Sequence, residues 1–455
     1  MRGRGYVTDV PYVRKFVREQ APAWLDHVAL ISGVAPPARG EGFAWCDLGC
    51  GQGVTAAILA ASHPRGRFYG IDAMPDHIAH ARRFAADAAI ANVSFRAVDF
   101  AAAARLELPH FDYIVAHGVY SWVDERSREA LRRFVDRHLK PGGLVYVSYN
   151  ALPGRAADLP FQRLLRTLGE TFSGDSVARV TAAARVVDSL HALRAPALVA
   201  SPMAVERQKN KDRFPAAYLA HEVMGAHWEP LTVTEMRSAM ATIGLVPVGS
   251  ATLMDNYDSF VLGKAARALL AGIADENARA LARDFLVDQF FRRDVYVRAG
   301  RRLGESARRR RLLAGSYALA RPAARINYAI STPAGRLNFD NGPTRGIVQA
   351  LAAGPRRLAD IAAGRIADAD LLASALVLAA AGAVLPVEPG GQPVAALERA
   401  ILRRLGGPEE ILYLPLPCGT ALAVPRELLR RRRDGKAIAG RELAGWRRFL
   451  AAHGV

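Results

Sequence analysis

At 455 residues the chain is too long for one ordinary domain, and two or three are expected. Half of it is apolar (51%), enough to bury sizeable cores. The net charge of +18 is almost all arginine, since lysine occurs only at Lys15, Lys140, Lys209, Lys211, Lys264 and Lys436. Arginine-, alanine- and glycine-rich usage of this kind reads as coding bias, so the charge favours acidic partners in general and singles out none. Cys46, Cys50 and Cys418 form neither a disulfide framework nor a zinc spacing, which fits a reducing cytoplasm. The first residues have no apolar signal-peptide core, and nothing later reaches the ~20 apolar residues of a membrane span.

In chain order, Val13–Val34 carries apolar residues at helical spacing, closed by Pro36 and Pro37, so residues 1–40 are expected as a helical segment covering the active site. From Phe43 strand and helix patterns alternate strictly. FAWCDL, RFYGID, VSFRAVD, FDYIVAHG and GLVYVSYN read as strands, with VTAAILAASH, DHIAHARRFAADAAI and SREALRRFVDRHL as helices. Such alternation means βαβ units and a parallel sheet, an α/β doubly wound, Rossmann-like architecture. The rhythm stops after Asn150. Residues 151–225 are expected as a helical insertion broken at Gly174, and residues 231–243 as a further helix. Strands at 245–253 and 258–262 would then close a domain spanning 41–262. Residues 265–313 read as a continuous arginine-laden helical region, giving a middle segment at 263–316. In the last unit, 317–455, the order helix, helix, helix, strand resembles a winged helix, though residues 368–381 contain no Arg, Lys, Asn or Gln to read base edges. A docking module is therefore expected there, not a sequence-specific DNA reader.

Three strand ends carry the chemistry. Asp47-Leu48-Gly49-Cys50-Gly51-Gln52-Gly53 leaves the first strand and enters a helix. Its glycines let the backbone turn tightly and approach a ligand. A nicotinamide fingerprint would space them G-x-G-x-x-G and place its acid much later. An acid that opens the motif suits a ligand with a cationic amino group and no pyrophosphate, as in the methionine moiety of S-adenosylmethionine. Asp72, followed by Ala73, ends the second strand where ribose hydroxyls would be bound, and Asp99-Phe100 ends the third, beside an adenine. Taken singly, an aspartate at a strand end is usually a helix cap or turn residue. Three on one sheet edge resemble the class I S-adenosylmethionine-dependent methyltransferases over about residues 43–150. The expected cofactor residues are Asp47, Gly49, Cys50, Gly51, Gly53, Asp72, Ala73, Asp99, Phe100 and His117.

Over the ends of strands four and five, His117, Tyr120, Trp122, Tyr149 and Asn150 are expected to form an aromatic and amide-bearing pocket for the acceptor, with plain packing under the next helix the competing reading for Tyr120 and Trp122. An amine must lose a proton before it attacks, which such a pocket favours. No His/Cys cluster suggests a metal, so the site is read as metal-free.

A closer resemblance covers most of the chain. Val10-Pro11-Tyr12, HGVYSWV (117–123), NALPG (150–154), Tyr218-Leu219-Ala220-His221-Glu222 and residues 289–294 (QFFRRD) look like bacterial methyltransferases carrying a methyltransferase regulatory domain, a group that includes lysine methyltransferases of outer-membrane proteins. The resemblance implies that Tyr12, Tyr120, Trp122, Asn150, His221 and Glu222 surround the acceptor. It implies a cytoplasmic enzyme acting on a protein lysine, with a homodimer allowed; a small natural product, N- or O-methylated, is the alternative. Gln52 replaces a residue that is usually small, and Arg155 replaces an aromatic after NALPG, which bears on acceptor identity.

Overall fold

The computed structural model describes residues 7, 9–10, 14–40, 42–210, 215–362, 366–388, 394–440, 443 and 445–455. Its centre is a seven-stranded sheet. The strands β1 (Ala44–Leu48), β2 (Arg67–Asp72), β3 (Val93–Ala97), β4 (Phe111–Ala116) and β5 (Leu139–Asn150) run parallel, in the order 3-2-1-4-5. All of β1 and β4 is buried, as expected of strands covered on both faces. The covering helices are α1 (Pro22–Ile31), α2 (Val54–Ser62), α3 (Pro75–Asp87), α4 (Phe100–Ala103) and α5 (Glu125–His138). The doubly wound expectation therefore holds.

The sheet closes differently from the sequence expectation. Residues 258–262, expected as a strand, form a helical turn, and β6 is Leu245–Ser250. The next strand, β7 (Phe291–Arg298), lies inside the stretch read as continuous helix. It inserts antiparallel between β5 and β6, completing the order 3-2-1-4-5-7-6. Its arginines hid the alternation of Val295 and Val297 against Tyr296. Each is paired: Arg292 with Asp284 and Asp294, Arg293 with Thr252, Arg298 with Asp136. The N-terminal helix is also shorter than expected. Ala21 precedes a proline and is extended, so α1 starts only at Pro22.

Helices at Leu159–Glu170, Ser176–Ala192, Pro202–Lys209 and Ala216–Val223 build the insertion around their own apolar cluster, centred on Phe161, Leu165 and Val180. The last unit has the expected helices, Gly342–Leu351, Leu358–Ala362 and Asp368–Ala380, followed by a strand at Val384–Val387. That strand pairs with Ser316–Leu319, from before the helices, and residues 389–393, where a wing would follow it, lie outside the described residues. This unit shares one core with α1, α2 and the sheet. Arg39 reaches across the junction to Glu388 and to Asp26 (2.6 Å), whose other oxygen accepts the Tyr113 hydroxyl at 2.7 Å.

Two glycines of the first loop separate folding from binding. Gly53 has φ +71°, and a Cβ there would stand 2.6 Å from Ala81 Cβ and 2.7 Å from Phe95. Gly51 has φ +51°, but its Cβ direction is open for 4 Å. Gly53→Ala should cost about 2–4 kcal/mol from overpacking and strain. Gly51→Ala should cost only about 1 kcal/mol of stability while impairing cofactor binding. Denaturant titration alongside cofactor calorimetry checks the contrast.

Candidate functional site

The strand ends expected to carry cofactor residues converge on a cavity of about 660 Å³. Its floor is the glycine loop, held because Gly49 and Cys50 donate backbone N–H groups to the Ile71 carbonyl (2.8 and 3.0 Å). Asp72 fixes the loop. One carboxylate oxygen accepts Gly51 N–H at 2.9 Å; the other accepts Met74 N–H at 2.9 Å and lies 3.3 Å from His77 Nδ1. Asp99 caps α4 by accepting Ala102 N–H at 2.8 Å, and still lines the cavity with Phe100. Gly49, Gly51, Asp72, Ala73, Asp99, Phe100 and His117 of the expected cofactor residues line this cavity, together with Trp122 of the expected acceptor residues.

Asp47, Cys50 and Gly53 are not on its wall. Gly53 serves packing, and Cys50 packs against Gly70 of β2, its thiol pKa pushed up by burial. Asp47 is buried behind the loop with Oδ1 lacking any hydrogen-bond partner. Burial, and secondarily Asp72, raise its pKa to about 8. An orphaned buried carboxylate oxygen beside an open Gly51 fits a ligand that brings a cationic amino group.

The acceptor expectations divide. Trp122 lines the cavity, stacked on Trp228 at 5.9 Å, a partner not foreseen from sequence. His117 stacks on Tyr146, with Nδ1 2.7 Å from its hydroxyl and 3.1 Å from Ser148 Oγ. Burial, then Arg293 and Lys15, lower its pKa to about 3, so it stays neutral. Tyr120 turns away: Arg132 donates to its hydroxyl (2.7 Å) and Arg128 covers its ring, which is the packing reading. Tyr149 is fully buried and donates to Asp294 (2.8 Å). Asn150 is off the wall; its N–H donates to Ser121 Oγ (2.9 Å) and its carbonyl accepts Leu231 N–H (3.0 Å). Tyr12 lies outside the described residues.

His221, Glu222 and His227 line the same cavity as Asp72 and Trp122. Burial raises the Glu222 pKa to about 7, against the opposing effects of nearby Arg155 and a hydrogen bond donated by the Tyr218 hydroxyl. Arg155 is the residue that departs from the family pattern, and its guanidinium also covers the Phe290 ring at 5.3 Å. Among the described residues, no group of three or more His, Cys, Asp and Glu side chains could hold a metal ion.

Residues 46–145 match the family model described as "Methyltransferase domain", and residues 215–298 that described as "Predicted methyltransferase regulatory domain". An uncharacterized protein of Synechocystis sp. is 32% identical over 360 residues, 78% of this chain and 71% of that protein. This chain is a class I S-adenosylmethionine-dependent methyltransferase with a regulatory domain. The trans-aconitate 2-methyltransferase of Methylobacterium nodulans is 29% identical over 39% of the chain and 60% of its own length. PKMT2 from Rickettsia typhi, solved with AdoHcy, has the same fold: TM-score 0.71, covering 95% of this chain and 90% of that one at 19% identity. The regulatory-domain match holds Glu222, Trp228, β6 and β7, so the two strands that complete the sheet and the Glu222 wall of the cavity belong to it. Among the described residues no helix is long and apolar enough to cross a membrane.

Proposed function

We propose that this methyltransferase modifies a lysine side-chain amine in a polypeptide. The observation that carries the reading is that the Glu222 carboxyl and the Trp122 indole line the same cavity as Gly49, Gly51, Asp72 and Asp99. A carboxylate beside an aromatic face suits an ammonium group and can then relieve it of a proton. The similarity in fold to PKMT2 and the resemblance to outer-membrane-protein lysine methyltransferases support it.

The cofactor supplies a methyl group on a sulfonium sulfur that departs as a neutral thioether. Asp72 is assigned to the ribose hydroxyls, Asp99 and Phe100 to the adenine, and Asp47 to the methionine ammonium group. Glu222 takes the proton from the acceptor ammonium, freeing the nitrogen lone pair. Trp122, backed by its stacking on Trp228, excludes water from the acceptor, and most of the acceleration comes from alignment and desolvation. In this reading residues 41–262, completed by β7, bind the cofactor. The insertion (151–225), the middle segment (263–316) and the last unit (317–455) hold the acceptor, with residues 1–40 covering the site.

Radioactive methyl transfer into lysate fractions tests it. Label should enter protein as methyl-lysine, stable to base, and chelator should leave turnover intact. Label in a small molecule, or a base-labile methyl ester, would refute the lysine reading. The similarity to trans-aconitate 2-methyltransferases favours the second reading, a small-molecule acceptor.

A further inference from the structure

A second cavity, of about 540 Å³, shares His117 with the first as a wall residue. It is built where three parts of the chain meet: the N-terminal segment through Lys15 and Arg18, β7 through Arg293, and the last unit through Arg321 and Arg325. Among the described residues that line this cavity, the one carboxylate is Glu19, which already pairs with Arg18 at 3.4 Å. Arg293 leaves its Nε buried without a hydrogen-bond partner. Lys15, Arg321 and Arg325 are exposed, so their charge is solvated, but it makes the cavity attractive to an anion. An entering anion can also satisfy the buried Arg293 N–H, whose orphaning is otherwise costly. The volume is far more than one carboxylate needs and lies in the range of ligand-binding pockets.

We infer that this basic cavity binds an acidic segment of the acceptor polypeptide, with Asp or Glu side chains close to the methylated lysine. This deepens the lysine reading and rests on it for the identity of the acceptor. The lysine would enter the cofactor cavity past His117 while its acidic neighbours stay among Lys15, Arg293 and Arg321. Acceptor selection would then be electrostatic, provided by residues distant in sequence from the cofactor loop.

The test is binding, so it does not depend on turnover. A lysine-free hexaglutamate peptide is titrated by calorimetry into the whole chain saturated with S-adenosylhomocysteine, with hexaglutamine as control. The glutamate peptide should bind, more weakly as salt rises, and the glutamine peptide should not. Arg321→Glu and Lys15→Glu, both at exposed positions, should each lower the affinity about tenfold, as expected for charge-assisted contacts. Equal binding of the two peptides, no binding of either, or no effect of both variants would overturn the inference. So would loss of S-adenosylhomocysteine affinity in Lys15→Glu with peptide binding unchanged, which would assign the cavity to the cofactor's own carboxylate. If the glutamate peptide binds as expected but label never enters protein lysine, the lysine reading fails and the anion site stands.

Discussion

Asp47→Asn should weaken S-adenosylhomocysteine binding about a hundredfold and abolish a proton release that accompanies binding in the unaltered protein. Removing one partner of a buried ion pair costs about 3–5 kcal/mol, and asparagine keeps enough hydrogen bonding to place the loss toward the lower end. The proton release follows from the sign of the shift. Burial, and then Asp72, raise the Asp47 pKa to about 8, so at pH 7 the carboxyl of the cofactor-free protein is mostly protonated. It must ionise to pair with an ammonium group, so affinity should climb from pH 6 toward 8. It should level off above about 8, where the carboxyl is already ionised in the cofactor-free protein. Stability runs the other way. A folded pKa above the unfolded 3.8 contributes stability that is full below that value and lost as pH rises through about 8. Calorimetry in buffers of different ionisation enthalpy counts the proton. The same count in Asp47→Asn, or an undiminished affinity, would remove Asp47 from the cofactor site.

The convergence of the three strand ends on one cavity was legible because each element announces itself locally. A glycine loop has to follow the first strand, and acids at strand ends must lie on one edge of a parallel sheet. Gly49, Gly51, Asp72 and Asp99 accordingly reach one cavity. The acceptor half depends on which way side chains point. Tyr146 and Ser148 face His117, whereas Tyr149, one residue out of phase, points through the opposite face to Asp294. Sequence position at a strand tip could not distinguish them without knowing which face β7 and the last unit cover. Strand β7 was itself hidden, since Arg292, Arg293 and Arg298 look like solvent-facing helix residues until their partners, as far as 162 positions away, are known. His221 and Glu222 could be flagged only through family resemblance. No periodicity links the end of the insertion to the tip of β4. Trp228 had no such pointer, being one of five tryptophans with no motif around it.

Glu222→Gln should lower turnover by at least a hundredfold while leaving cofactor affinity intact, the range expected on losing a positioned base. Gln is nearly isosteric but cannot take the proton. A carboxyl with pKa of about 7 is ionised only above neutrality, so turnover should rise with pH through about 7, and the variant should lose that inflection. The two opposing influences on Glu222 give a graded control. Arg155 and the Tyr218 hydroxyl both favour the carboxylate, so Arg155→Met and Tyr218→Phe should each raise its pKa. The inflection should then move to higher pH, with more loss of rate at pH 7 than at pH 9. A residue that merely packed the cavity would lower the rate equally at every pH. An unshifted inflection in both variants, or a Gln variant whose pH profile matches the unaltered protein, would take the base role from Glu222 and leave proton removal to solvent.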